Sequence, residues 1–448
     1  MIFGLDPSIT RYVVRKIRKE KKLRQDDLSD KNMSYGTISN IERGVGHVDE
    51  QTIYKYLGKL GLTEKRLKQL VNIEKERIND VTIYLETVES MLDNNKLEEA
   101  EKMLKEIQLD RYHPLAPYYT YLEGRFYREK NYFNKAEQSY KLAIRLHKQY
   151  NLCYRHNIAA TCYNGLGILN YRQNNLEEAL YYTDEGLSEF DEDKGGKDIK
   201  YHLIGNKILY LINLSQYEPA KQVLDEAWSS ISQIDNIGIV LNLYRFKSII
   251  LRKMKRYADA IDVCKEGIDI ARRNRIQNRY LDLVTVLGSI YLYQKQIEKA
   301  KRLFKLVLRY DSQGNFPRSR IDALTYLAIT ETYENNWTEA EENIRSALEI
   351  ARDVSQHFRL SKALIVCGNI FAEQEKYKEA VIYYQEAVQL TEKSGYKQRQ
   401  YSALLQLAYC FDKMALKSDF EMSMRKLLNI QRELNLQSED ELYDLRNC

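Results

Sequence analysis

Small and apolar positions return at a fixed interval along most of this chain. An alanine recurs at Ala100, Ala136, Ala179, Ala220, Ala260, Ala300, Ala340 and Ala380, at intervals of 36, 43, 41 and then 40 four times. Three residues before each stands Leu97, Phe133, Leu176, Tyr217, Tyr257, Ile297, Trp337 or Tyr377. Four after stands Leu104, Tyr140, Thr183, Leu224, Cys264, Phe304, Ile344 or Tyr384. Such spacings share one helix face, so each interval predicts a helix with a buried stripe. Twelve before the alanine, a second small residue recurs as Gly124, Gly167, Gly288, Ala328 or Gly368. Two small points per interval predict helix pairs that cross closely. The pairs Asn94-Asn95, Asn174-Asn175 and Asn335-Asn336 mark the turn within a pair, where Asn tolerates left-handed geometry. Pro114, Pro117 and Pro317 separate pairs, and Pro219 suits the first turn of a helix. Eight or nine pairs are expected, closing with a degenerate pair over about Leu404 to Leu434.

The first sixty residues follow a different pattern. Asp6, Pro7 and Ser8 signal a helix start, and Val13, Val14 and Ile17 give that helix an apolar stripe. "RQDDLSDKN" predicts a second short helix, with Asp26 and Asp27 in its first turn. Ser34 and Gly44 bracket a third, which buries Ile38 and Ile41 and turns Tyr35, Thr37, Ser39, Asn40 and Arg43 outward. Ile53, Tyr56, Leu57 and Leu60 face inward from a fourth. A helix from about Glu64 to Met91 then couples this bundle to the repeats. Small polar side chains on the third helix suggest a surface that fits against something, because solvated helices favour Glu and Lys there.

Composition agrees with an all-α chain. Only 5 prolines and 19 glycines among 448 residues are too few for the turns of a β protein, and 44% hydrophobic residues suffice for extended cores. The six cysteines (Cys153, Cys162, Cys264, Cys367, Cys410, Cys448) form no C-x-x-C pair, so they are read as reduced and the compartment as cytoplasmic. No apolar run suits a signal sequence or a membrane span. Residues 1 to 75 hold 16 Lys and Arg against 10 Asp and Glu, whereas the remainder holds 53 against 54. Eight of those basic residues crowd one expected helix, Arg11 to Arg24, beside the single acid Glu20, a run that repels itself unless a polyanion is near. No phosphate loop or H-E-x-x-H occurs, and His156 and His202 read as polar surface; no catalytic residue, metal site or cofactor is expected.

Residues 9 to 62 resemble the lambda-repressor or Xre type of helix-turn-helix domain through "LRQDDLSDK", "TISNIERG" and "TIYKYLGKLGL". The resemblance directs Gln25, Tyr35, Gly36, Thr37 and Asn40 toward base edges of double-stranded DNA, and Arg24, Lys22 and Arg43 toward phosphates. Short side chains and a glycine suit the entry of such a helix into the major groove, where Asn pairs bidentately with adenine.

The remaining chain resembles the tetratricopeptide repeat, stretched toward forty residues, and therefore a right-handed superhelix lined by first helices. By that similarity its inner wall includes Arg125, Asn164, Asn206, Asn242, Arg245, Asp282, Tyr326 and Asn369. Asn grips a peptide main chain and Arg takes a carboxylate, so a short linear peptide is the expected ligand.

The order of the two parts resembles the cytoplasmic peptide-pheromone receptors grouped as Rap, Rgg, NprR, PlcR and PrgX, with the phage arbitrium receptors. The resemblance implies a homodimeric quorum-sensing regulator whose signalling peptide changes how paired heads hold an operator. A Rap-like protein acting on a response regulator and a peptide-independent DNA-binding scaffold stay open. The expected boundaries are a DNA-binding domain over 1–62, a coupling and first repeat helix over 63–92, the repeat array over 93–434 and a polar tail over 435–448.

Overall fold

In the computed structural model, which describes residues 4–46, 48–150 and 157–434, the chain is all-helical, with no strand among the described residues. The expected polar tail, Cys153, Cys448 and His156 lie outside them.

The head opens with α1 (Pro7–Glu20), whose first amides donate to the side chain of Asp6. The chain then departs from the sequence expectation. In place of a second helix there is one 3-10 turn, Asp26–Leu28. Local side-chain bonds compete with helix here: Asp27 accepts from the amide of Arg24, and Asp30 from that of Asn32. The basic run is likewise not one helix, since α1 ends at Glu20 and Lys22 takes φ 56°. Ser34 caps α2 (Tyr35–Arg43) by accepting from Thr37, and Gly44 ends it at φ 68°. The α3 helix (Glu50–Lys59) follows, capped by Asp49. The long α4 (Glu64–Asp93) then runs without a break from the head into the first repeat.

Beyond α4 each repeat is a helix pair: α5 (Leu97–Glu106), α6 (Ala116–Glu129), α7 (Phe133–Tyr150), α8 (Ile158–Arg172), α9 (Leu176–Ser188), α10 (Asp198–Asn213), α11 (Tyr217–Trp228), α12 (Ile237–Lys253) and α13 (Tyr257–Arg273). The array continues through α14 (Gln277–Tyr293), α15 (Ile297–Tyr310), α16 (Pro317–Tyr333), α17 (Trp337–Asp353), α18 (His357–Glu373), α19 (Tyr377–Lys393), α20 (Lys397–Lys413) and α21 (Lys417–Glu433). With α4 opening the first, nine pairs stand among the described residues. The eight recurrent alanines are fully buried, each on the second helix of its pair. Left-handed residues close the turns between the two helices of a pair, Asn95, Asn174 and Asn335 among them. The thiols of Cys162, Cys264, Cys367 and Cys410 are buried and free.

The chain forms two compact units, residues 1–170 with 181–203, and residues 171–180 with 204–448. The first holds the head and early repeats around one continuous core. In the second, the turn at Asn174 meets the start of two later first helices. Its amide nitrogen lies 3.0 Å from Nδ1 of His357, and its oxygen accepts from the hydroxyl of Tyr396 at 2.8 Å.

Candidate functional site

The head is organised by one buried carboxylate, Glu42 of α2. Arg18 donates to it twice, from Nε at 2.5 Å and from Nη2 at 2.9 Å. The hydroxyl of Tyr56 adds a bond at 2.5 Å and the amide of Gln25 another at 2.8 Å. Burial by itself would raise the Glu42 pKa, but the bonds from Arg18 and Tyr56 outweigh it and hold the carboxyl below its ordinary value. One ion thus ties α2 to α1, to the turn before it and to α3.

That arrangement sorts the expected DNA-facing residues. Tyr35, Gly36, Lys22 and Arg24 are exposed, with Thr37 and Asn40 half-buried on the same helix as Tyr35. Gln25 is engaged at Glu42, and Arg43 donates from Nε to the carbonyl of Gln149 at the end of α7, 3.1 Å away. The basic run proves to be largely occupied within the first unit. Lys16 pairs with Glu74 at 3.0 Å, Lys19 stands over the ring of Tyr112, and Arg15 lies between Tyr112 and Tyr150. Tyr12 meets His113 edge-on with ring centroids 4.8 Å apart. Lys22 and Arg24 are the exposed remainder of the run.

Of the residues expected to hold a peptide, Arg125 and Asn164 belong to the first unit, where Arg125 is ion-paired with Glu89 and Asp93. The other six lie in the second unit. Asn206 stands on α10 and Asn242 on α12, both half-buried, whereas Asn369 is exposed and accepts from the hydroxyl of Tyr384. Arg245, Asp282 and Tyr326 are brought into one charged cluster on the first helices α12, α14 and α16.

Residues that sequence reasoning missed complete the cluster. Asp282 accepts from Ser319 at 2.7 Å, and Asp322 takes Arg359 at 2.7 Å with Lys362 at 3.9 Å. Lys362 also sits 3.3 Å above the Tyr326 ring, and Arg252 reaches its hydroxyl at 3.5 Å. Burial would raise the Tyr326 phenol, yet the charges of Lys362 and Arg252 bring it down to about 7. Burial pushes the guanidinium of Arg245 down to about 10, and that of Arg399 likewise. A signal for these residues was present in the chain, because Arg279, Arg318, Arg359 and Arg399 recur at intervals of 39, 41 and 40. No cluster that would hold a metal ion occurs among the described residues, and no helix there is long and apolar enough to cross a membrane.

Residues 14–72 match a helix-turn-helix family model, and residues 281–313 and 319–393 match tetratricopeptide-repeat models. Nothing among curated proteins matches the chain. Among solved structures it is similar to a Rap protein complexed with competence and sporulation factor, at 14% identity and TM-score 0.58, covering 80% of this chain and 99% of that one. The apo quorum sensor NprR from B. thuringiensis gives 15% identity and TM-score 0.53, covering 79% and 99%. NprR in complex with its cognate peptide NprX gives 13% and 0.50, covering 78% and 88%. At such identities the likeness is one of fold. A helix-turn-helix head followed by tetratricopeptide repeats, on the fold of Rap and NprR, fits a regulator of the RRNPP type.

Proposed function

We propose that this chain is a transcriptional regulator that binds an operator through residues 1–62 and answers to a short linear peptide held by its repeats over 93–434. The observation that carries this reading is the pairing, on one chain, of an accessible α2 N-terminus with repeat helices on which, among the described residues, Arg245, Arg252, Arg318 and Arg399 pair with no carboxylate, while Arg279 and Arg359 are held by Asp282 and Asp322. Tyr35, Gly36, Thr37 and Asn40 present a short polar surface of the size a major groove admits. Lys22 and Arg24 flank it for phosphates. The solved relatives with bound competence and sporulation factor and with NprX lend the peptide its plausibility. A homodimer places two heads on half-sites about 34 Å apart, so a modest change in repeat pitch alters simultaneous contact.

The test is selection of binding sites from random duplexes with the full chain, followed by footprinting. N40A relaxes base preference at one position, whereas K22A with R24A weakens every site and flattens the salt dependence. Absence of any preferred sequence sinks the operator-binding role. The likeness to Rap over 99% of that chain favours one alternative, action on a response regulator. Such an activity persists unchanged when Lys22, Arg24 and Asn40 are replaced together.

A further inference from the structure

We infer that the second unit selects a doubly anionic peptide, one whose free C-terminal carboxylate and an acidic side chain three to four residues before it occupy two separate cationic seats. The inference rests on the peptide-sensing reading above and adds the chemical class of the ligand.

Charge imbalance is the starting point. Among the described residues no carboxylate pairs with Arg245, Arg252, Arg318 or Arg399, although Asp282 holds Arg279 and Asp322 holds Arg359. Buried Nε atoms of Arg245 and Arg252 lack any hydrogen-bond partner, and Arg252 is only 8% exposed. Leaving a buried guanidinium donor unmade is costly, so a fold that keeps two of them holds places for an acceptor.

The helix ends reinforce it. Arg279, Arg318, Arg359 and Arg399 each sit in the first turn of α14, α16, α18 and α20, and none of these helices carries an acid there. A helix N-terminus is the positive end of its dipole and ordinarily attracts acids, so an arginine in that turn of four successive first helices concentrates positive field.

The cations divide into two groups along α16. Arg245 and Arg318 share Arg279, Asp282 and Arg359 as electrostatic neighbours, which makes one seat near the helix start. Arg252, Lys362 and Arg399 gather about Tyr326, which makes the other. Arg318, Asp322 and Tyr326 succeed one another every four residues on one face of α16, and at 1.5 Å per residue the two seats lie about 12 Å apart. An extended peptide covers that distance in roughly three to four residues. Paired guanidinium forks suit carboxylates at both ends, whereas one compact dianion reaches only one seat.

The experiment is calorimetric titration and thermal denaturation of the full chain with pools of peptides of about six residues, long enough to span both seats. One pool carries Asp or Glu at the third position and a free C-terminus. Matched pools replace the acid with Asn or Gln, replace it with Lys or Arg, or amidate the C-terminus; inorganic pyrophosphate serves as a compact polyanion. The acidic pool is expected to bind, with loss of either carboxylate weakening it about tenfold to a hundredfold. R245Q abolishes the cost of losing one carboxylate and R399Q the cost of losing the other. R245Q keeps or raises the melting temperature, since it removes a cation with no hydrogen-bond partner at its Nε. R399Q also loses bonds to the Phe358 carbonyl and the Ser361 hydroxyl, so its peptide affinities are compared at a temperature where the variant is folded. A variant-free check is salt, which weakens the acidic pool more steeply than the amidated one.

Equal binding of neutral or basic pools overturns the acidic class while leaving a peptide ligand standing. Pyrophosphate binding as tightly as the acidic pool overturns the two-seat assignment. Failure of every pool to bind or to shift melting sinks the peptide reading itself.

Discussion

A Cβ placed on Gly288 of α14 would stand 2.6 Å from the ring of Phe304 on α15. The same relation links Gly124 to Tyr140 at 2.7 Å and Gly368 to Tyr384 at 2.5 Å. Where the residue four after the alanine is Ile344, the opposing position is Ala328. At these positions the small residue is matched to the size of its partner. G288A should cost about 1–3 kcal/mol through overpacking, and pairing it with F304I should recover part of that loss. Chemical denaturation of the two variants measures it; an additive loss in the double variant contradicts the match.

Glu42 predicts a second outcome. E42Q leaves the buried Arg18 guanidinium without its countercharge and should cost about 3–5 kcal/mol. The folded carboxyl lies below its ordinary value of 4.5, so its contribution is fully present above that value and is lost as pH falls through the folded one. Acid unfolding of the native chain should show this step, and E42Q should lack it. Operator affinity should fall with the same substitution, because α2 loses its tie to α1 and α3.

Tyr326 gives a spectroscopic prediction. Its phenol, lowered to about 7 by Lys362 and Arg252 against burial and the nearby Asp322, should titrate near neutrality with a tyrosinate absorbance change absent in Y326F. A folded-state pKa below the ordinary 10 means that this group stabilises the fold as pH rises above about 7, with the gain complete near 10. An anionic peptide seated beside Lys362 should push the midpoint back up. No shift on addition of the acidic pool would separate Tyr326 from the second seat.

Ala415 occupies a left-handed turn at φ 57° on an exposed site between α20 and α21, where a Cβ is unfavourable and nothing is gained by packing. A415G should stabilise by about 0.5–1 kcal/mol, seen as a later denaturant midpoint at unchanged slope. Ordinary turns of this array show how the strain is avoided, since Asn95, Asn131 and Asn335 take the same geometry.

The local and the long-range parts of this protein were legible to different degrees. The sequence by itself determined the helix pairs and their phase, because residues that pack within a pair lie sixteen apart and recur with the interval: Tyr140 against Gly124, Phe304 against Gly288, Tyr384 against Gly368. Ser34, Gly44 and the run through Glu42 likewise announced α2, since caps and turn residues act on their own backbone. The second head helix was misread because Asp27 and Asp30 bond to neighbouring amides, a competition that apolar spacing does not register. Which charges meet was decided only by tertiary structure. Arg18 finds Glu42 across 24 residues, Lys16 finds Glu74 across 58, and Asp282 finds Ser319 across 37. The arginines at Arg279, Arg318, Arg359 and Arg399 were visible as a periodicity, but the periodicity says only that they share a position in each repeat. Whether they converge on one wall or are neutralised depends on the curvature of the stack. That curvature is the accumulated sum of small rotations between helix pairs, and no local spacing contains it.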